Sequence, residues 1–150
     1  MSGRIARAFA RTSREGRAAI VVFVEAGDPS LEVTRRLLPA LAEAGADVVE
    51  LGVPFSDPIA DGPAIQRASE RALAAGTSLS GVLDLVARVR SEGLDVPVVL
   101  FGSAHPVLAM GEAAFASRAA DAAADLLRDH LPRRGRRRRR AAWLDRQSDQ

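Results

Sequence analysis

The chain has 150 residues, of which 47% are apolar and 27% charged, a length and balance that suit one folded domain and exclude an intrinsically disordered chain. The absence of cysteine excludes disulfide bonds and thiolate chemistry, and it suits a protein of the reducing cytoplasm. The formal net charge of +2 conceals an uneven distribution, because residues 129–150 contain eight Arg and three Asp while the rest of the chain is mildly acidic.

The first segment has the spacing of an amphipathic helix. Ile5, Ala8 and Phe9 share one helical face at separations of three and four residues. A start that is rich in Arg and Ser and poor in acid is also typical of organellar transit peptides. The apolar spacing favours the helix.

Three short runs rich in β-branched residues predict buried parallel strands, at residues 18–24, 47–53 and 96–101. The predicted helices between and after them run over residues 31–45, 63–76, 80–92 and 111–131. Asp28 is expected to cap the first of these helices, with Pro29 in its first turn. Strands that alternate with helices predict a parallel sheet covered by helices. No membrane span is expected, because the longest uncharged stretch is interrupted by proline and glycine.

The last residues break this alternation. Seven Arg lie between positions 133 and 140, and Trp143 stands alone without an apolar period around it. Such a block of like charges repels itself and is typical of a disordered segment. The sequence therefore divides into a folded domain at residues 1–131 and an Arg-rich disordered tail at residues 132–150.

Three carboxylates lie in or directly after the second predicted strand, and Glu50 is the first of them. Parallel α/β folds place their chemistry at the carboxyl ends of the strands. Glu50 shares a strand face with Val48 and Gly52, where burial would raise its pKa toward neutral and allow it to give and take a proton. The alternative is a strand-end acid that is exposed or paired with Arg.

Asp57 and Asp61 follow in a loop that contains three prolines. Asp61 precedes Gly62 and Pro63, a pattern that also fits a simple helix cap. Asp57 precedes proline and is typical of a turn. Spacing alone leaves both alternatives open, although acids eleven positions apart could face one another across a rigid loop.

The segment E-L-G-V-P-F-S-D-P-I-A-D-G-P-A-I-Q, at residues 50–66, resembles the signature of the tryptophan synthase alpha chain family. Similar segments are R-I-A-R-A-F-A, A-G-D-P-S, A-L-A-A-G-T-S-L, V-P-V-V-L-F-G and P-V-L-A-M-G, so the resemblance covers about residues 3–121. It implies a TIM barrel and a lyase of tryptophan biosynthesis. That lyase cleaves indole-3-glycerol phosphate to indole and glyceraldehyde 3-phosphate in a retro-aldol reaction.

The resemblance also implies the roles of individual residues. Glu50 matches the acid–base catalyst, and Asp61 matches the carboxylate that accepts a hydrogen bond from the indole N–H. Phe23 matches a residue that lines the indole pocket, although a plain core role would suit it equally well. Pro54 and Asp57 match the surface that docks on the beta chain in an alpha2-beta2 tetramer. The chain itself would need no cofactor or metal, because pyridoxal phosphate belongs to the beta chain.

Some residues depart from the family pattern. Glu25 replaces a Thr or similar small residue near the end of the first strand, which adds an acid there. Ser103 and His105 replace a Tyr and an Asn, which removes an aromatic wall. A lone histidine in a loop is more often inert than functional.

The number of strands departs as well, since a TIM barrel has eight strands and ~250 residues. Only three are predicted, and beyond about Ala122 no fourth is expected. The fold class is therefore an incomplete TIM (β/α)8 barrel of about three βα units plus an amino-terminal helix. Open sheet edges would make such a chain prone to associate, with little or no lyase activity. One hypothesis is a truncated or frameshifted gene.

Two other functions remain open. The Arg block could bind nucleic acid by neutralising phosphates, although no nucleic-acid-binding module or interleaved aromatic residues accompany it. Alternatively, the chain could be a non-catalytic partner that docks on the beta chain through Pro54 and Asp57.

Overall fold

The computed structural model describes residues 3–57 and 61–129, with the backbone alone for residues 126–129. The predicted Arg-rich tail and the last residues of the predicted domain lie outside the described residues. The elements, in chain order, are α1 (Arg4–Arg14), β1 (Val21–Glu25), α2 (Leu31–Glu43), β2 (Val48–Gly52), α3 (Pro63–Ala74), α4 (Leu79–Ser91), β3 (Val98–Gly102), α5 (Ala104–Met110), α6 (Glu112–Asp121) and β4 (Leu126–Asp129).

The four strands form one parallel sheet in the order β1-β2-β3-β4. Strand neighbours in register share a face of the sheet, so Phe23, Glu50 and Val99 form one row across β1, β2 and β3. The next row on that face, toward the carboxyl ends, contains Glu25, Gly52 and Phe101. We call this surface the inner face.

The main core lies on the opposite, outer face of the sheet, where α2, α4 and α6 cover the strands. β2 and β3 contribute Val49, Leu51, Val98 and Leu100 to it, all completely buried. The helices contribute Leu38, Val82, Leu83, Val86, Val89 and Phe115. In α4, Val82, Leu83, Val86 and Val89 recur at helical spacing, because one side of the helix must bury its apolar residues against the strands.

A smaller cluster holds α1 against the amino-terminal part of the inner face. Ala8 packs with Val48 and Val99, and Ile5 packs against that group. The predicted amphipathic helix is confirmed, but Phe9 is 49% exposed and does not belong to the buried face. α1 therefore covers the part of the inner face near the amino-terminal ends of the strands. It does not cover the part near their carboxyl ends.

Two sequence predictions about the elements are wrong. The predicted helix over residues 111–131 is instead one helix, α6, followed by β4, which pairs with β3 from Val99↔Leu126 to Gly102↔Asp129. The sheet therefore has four strands where three were expected. Asp28 does not cap α2, since Ser30 is the N-cap and its side chain accepts a hydrogen bond from the Val33 N–H.

Within the described residues, no single helix is long and apolar enough to cross a membrane. α3 and α4 meet that requirement only in combination, and they are bent by 91° at the break between them.

Candidate functional site

The candidate site lies on the inner face, at the carboxyl ends of β1, β2 and β3. Two aromatic rings form its floor: Phe23 and Phe101 meet edge to face, with ring centroids 5.9 Å apart and an interplanar angle of 88°. Such a pair is a stable apolar platform, because the positive edge of one ring lies against the negative face of the other. The rings come from the two strands that flank β2.

Glu50 lies between these strands, half-buried and directly in register with Phe23. The predicted orientation is confirmed, because Glu50 shares its face with Val48 and Gly52 in β2. An aromatic ring and a carboxylate therefore stand side by side on adjacent strands. This arrangement can hold an apolar ring next to a group that exchanges protons.

Asp61 is half-buried and directly precedes the N-cap of α3. The alternative that Asp61 caps this helix is wrong, because the N-cap is Gly62 and no side chain makes a capping hydrogen bond. Gln66 instead donates from its side chain to the Asp61 carbonyl oxygen over 2.8 Å. The Asp61 carboxylate lies close enough to Glu25 to raise the pKa of that group.

Glu25 is the acid that the sequence marked only as a departure from a family pattern, and the structure makes it part of this site. Its Oε1 accepts a hydrogen bond of 2.8 Å from the Ser69 hydroxyl of α3. Burial is the main reason that its pKa is raised, and the charges of Asp61 and Asp28 act in the same direction, while the Ser69 hydrogen bond opposes them. No sequence signal pointed to Ser69, which is 3% exposed and 44 positions away.

Gly52 allows Glu25 and Phe23 to lie against the end of β2. A Cβ atom added at Gly52 would collide with the Glu25 carboxylate and would lie 2.8 Å from Phe23 Cζ. Since Gly52 is opposite Glu25 in register, the missing side chain is what admits the carboxylate to the inner face.

The turn after β1 is held from two sides. Gly27 has a φ of +86°, and its N–H donates to the buried Thr34 Oγ1 over 3.0 Å. Arg71 of α3 donates two hydrogen bonds of 2.7 Å to the Asp28 carboxylate and lowers its pKa. The turn and α3 are therefore linked beside Glu25.

The loop after β2 packs on the helix after β3. The Phe55 ring stacks on the His105 imidazole with centroids 5.2 Å apart and planes 9° from parallel. His105 Nδ1 lies 2.7 Å from Ser103 Oγ, which also accepts from the His105 N–H as the N-cap of α5. His105 therefore lies in the first turn of α5 and not in the expected loop, where its ring holds the start of α5 against the loop after β2.

Of the two residues expected to meet a partner, the structure buries Pro54 and leaves Asp57 exposed. Of the two, only Asp57 has a side chain that is accessible to another molecule, whereas the buried Pro54 can act only by fixing the conformation of the loop.

A cavity of about 690 Å³ lies at the opposite, amino-terminal end, between α1 and the strand starts. Four of its Arg side chains are paired with acids: Arg11 and Arg17 both bind Asp47, and Arg4 and Arg7 bind Asp95. The Arg17 hydrogen bonds, with those from the Ile20 N–H and Arg11, hold the pKa of the Asp47 carboxyl far below its usual range. These ion pairs attach α1 to the sheet.

Among the residues that the structure describes, no group of three or more His, Cys, Asp or Glu side chains is placed to hold a metal ion.

A parallel sheet with helices on its outer face, and acids with aromatic rings at the carboxyl ends of its strands, defines part of a (β/α) barrel of the enzyme type. A model of the tryptophan synthase alpha chain family matches residues 9–137. The chain therefore belongs to the tryptophan synthase alpha chain family. The match includes β4 and extends past Ala122, where the sequence resemblance was expected to stop.

Related sequences agree with this assignment. The tryptophan synthase alpha chain of Geobacter sulfurreducens is 56% identical over 122 residues, which cover 81% of this chain and 46% of that protein. The tryptophan synthase alpha chain of Dechloromonas aromatica is 56% identical over 131 residues, 86% of this chain and 49% of that protein. The chain thus spans about half the length of the curated relatives it matches.

Solved structures show the same fold. The tryptophan synthase alpha subunit of Legionella pneumophila matches with a TM-score of 0.81 at 39% identity, covering 85% of this chain and 48% of that one. A tryptophan synthase structure from Mycobacterium tuberculosis matches with a TM-score of 0.86 at 30% identity, covering 97% of this chain and 56% of that one. The expected incomplete TIM barrel is confirmed, with four strands described.

Proposed function

We propose that this chain carries the acid–base and ring-binding part of a tryptophan synthase alpha active site, which cleaves indole-3-glycerol phosphate to indole and glyceraldehyde 3-phosphate. The observation that carries the proposal is the register of Phe23 with Glu50 on the inner face, at the carboxyl ends of a sheet of this family. Phe23 and Phe101 hold the indole ring, Glu50 moves the protons, and Asp61 accepts a hydrogen bond from the ring N–H.

The retro-aldol step needs these three actions together. A proton is added to C3 of the indole ring, and the ring nitrogen becomes positively charged, which a fixed carboxylate such as Asp61 stabilises. A base removes the proton of the hydroxyl group on the carbon attached to C3. The bond between C3 and that carbon then breaks, its electrons neutralise the ring nitrogen, and the carbon becomes the aldehyde. Glu50, half-buried beside an apolar ring, suits proton transfer in both directions.

The proposal assigns only part of the substrate to this chain. In barrels of this type the phosphate-binding loops follow strands seven and eight. Four strands are described here, so the residues that bind the phosphate are not among those discussed above. We expect turnover by the chain alone to be little or none beside that of a full-length relative.

A chimera tests the residue roles independently of length. Residues 3–129 replace the matching part of a full-length relative, and indole release from indole-3-glycerol phosphate is measured. Glu50→Gln should lower kcat by at least about a hundredfold, since it keeps the shape of the side chain and removes the proton exchange. Glu112→Gln on the outer helix α6 is the matched control and should leave kcat unchanged.

An active Glu50→Gln chimera would refute the role of Glu50. Indole release by the unmodified 150-residue chain at the rate of a full-length relative would refute the expected loss of activity.

The proposed partner is a tryptophan synthase beta chain in an alpha2-beta2 assembly, docked at the loop that contains the buried Pro54 and the exposed Asp57. That beta chain would hold the pyridoxal phosphate and receive the indole, while this chain uses no cofactor in the cleavage. A chain without cysteine suits this role in the reducing cytoplasm.

A further inference from the structure

The Glu25 carboxylate is held in one position by only one of its oxygens. Oε1 accepts from the hydroxyl of Ser69, a buried residue of α3. Because α3 is itself joined to the turn after β1 through the Arg71–Asp28 pair, the serine and the glutamate belong to one fixed unit. A carboxylate anchored in this way loses little freedom when it binds a ligand.

The other oxygen, Oε2, is directed over Gly52 and onto the inner face. It takes up space that a Cβ at Gly52 would need, on the side where the Phe23 ring also approaches Gly52. Ser69 is the one described residue that hydrogen-bonds Glu25, and it uses Oε1. Among the described residues no fully enclosed side-chain oxygen lacks a hydrogen-bond partner, so Oε2 is open to solvent or to a ligand.

We infer that Glu25 binds the ligand directly and makes this site prefer an aromatic ring that carries a second hydrogen-bonding substituent, such as a hydroxyl group, over the unsubstituted ring. The inference rests on the proposed function, in which Phe23 and Phe101 hold the ring and Asp61 accepts from its N–H. Oε2 supplies a second polar contact on the same face, one row nearer the carboxyl ends than Glu50.

The charges around Glu25 agree with this role. Asp61 faces it from the loop before α3, Asp28 faces it from the turn after β1 and is neutralised by Arg71, and Glu50 lies one row away on β2. Burial, together with the charges of Asp61 and Asp28, raises the pKa of Glu25. A ligand hydroxyl suits both states of the group, because it can donate to the carboxylate and accept from the neutral acid.

The test compares indole with the 4-, 5-, 6- and 7-hydroxyindoles as ligands of the full chain, with dissociation constants measured by ligand-observed NMR. At least one hydroxyindole should bind about tenfold more tightly than indole, as expected for one hydrogen bond to an ionisable group. Glu25→Thr should abolish this preference, so that the ratio of the hydroxyindole affinity to the indole affinity, each measured on the same variant, falls to about one. Glu25→Gln, which keeps the size and one acceptor oxygen, should retain part of the preference and controls for misfolding, together with circular dichroism.

The possible results separate the two proposals. Indole binding without a preference for any hydroxyindole, or a preference that survives Glu25→Thr, would overturn the role of Glu25 and leave the ring site intact. Failure of the well-folded chain to bind indole or any hydroxyindole would overturn the proposed ring site, and the role of Glu25 with it.

Discussion

At the residue scale, the Glu25 carboxyl is buried next to the like charges of Asp61 and Asp28, and each of these influences raises its pKa. The Ser69 hydrogen bond offsets them in part. The folded chain therefore binds a proton at Glu25 more tightly than the unfolded chain does. This difference links the stability of the fold to pH.

The sign of that link follows from the raised pKa. Above the ordinary pKa of glutamate the unfolded chain has lost the proton while the folded chain still holds it, so the free energy of unfolding falls as the pH rises toward the pKa of folded Glu25. Glu25→Gln should remove this contribution. The measurement is the difference in unfolding free energy between wild type and Glu25→Gln, from urea titrations at a series of pH values.

Ser69→Ala sharpens this prediction, because it removes the hydrogen bond that lowers the pKa of Glu25. The fall in stability should then continue to a higher pH than in wild type. Parallel pH profiles for wild type and Glu25→Gln would show that Glu25 does not titrate differently in the folded chain.

At the scale of the elements, two aspartates have the same arrangement at the amino-terminal end of the sheet. Asp47, which precedes β2, accepts from the Ile20 N–H and from Arg17. Asp125, which precedes β4, accepts from the Val98 N–H and from Arg90. In each case the aspartate links the strand that it precedes to the start of the neighbouring strand, β1 for Asp47 and β3 for Asp125.

Arg90 is the more buried of the two arginines, with 8% of its side chain exposed, and burial lowers its pKa. It also donates to the carbonyl oxygens of Leu94, Val96 and Ala123. Arg90→Gln would leave Asp125 buried without its main partner, so we expect a loss of roughly 3 kcal/mol in unfolding free energy.

Arg88→Gln is the matched control for this change. Arg88 lies on the same helix and pairs with Glu92, but 60% of its side chain is exposed, so its loss should cost at most about 1 kcal/mol. Equal losses in the two variants, measured by urea denaturation, would contradict a structural role specific to Arg90.

At the scale of the whole molecule, the proposed docking on a beta chain would use the loop after β2. Asp57→Arg reverses the charge of its exposed acid and should weaken binding to a tryptophan synthase beta chain by about tenfold. Asp121→Arg makes the same change at the end of α6, near the amino-terminal end of the sheet, and should bind normally. Dissociation constants from biolayer interferometry would decide this, and equal binding by both variants would exclude the loop as the docking surface.

The edges of the sheet belong to the same scale. β1 and β4 each pair with one strand among the described residues, and Ile20 and Val21 at the start of β1 are about half exposed. Unpaired strand edges with exposed apolar residues favour association. These edges support the expected association of the chain, which stays a prediction.

The sequence by itself determined the alternation of strands and helices and the faces of the sheet. Both depend on short-range spacing, so Phe23 and Glu50 could be assigned to strands, and Glu50 to a face, before any contact was known. Their expected chemical roles came from the family resemblance, because residue spacing does not specify a chemical role. The start and end of α2, α3 and α4 were predicted within two residues for the same local reasons.

Only the tertiary structure decided which distant groups meet. β4 has four residues, too few for a reliable period, and pairing with β3 made it a strand where a helix was predicted. Asp28 was predicted to cap α2 because helix capping can be predicted from neighbouring residues. Its actual partner, Arg71, is 43 positions away in the sequence. The approach of Ser69 to Glu25 likewise required α3 to pack against β1, since no spacing within one segment encodes contact between two segments.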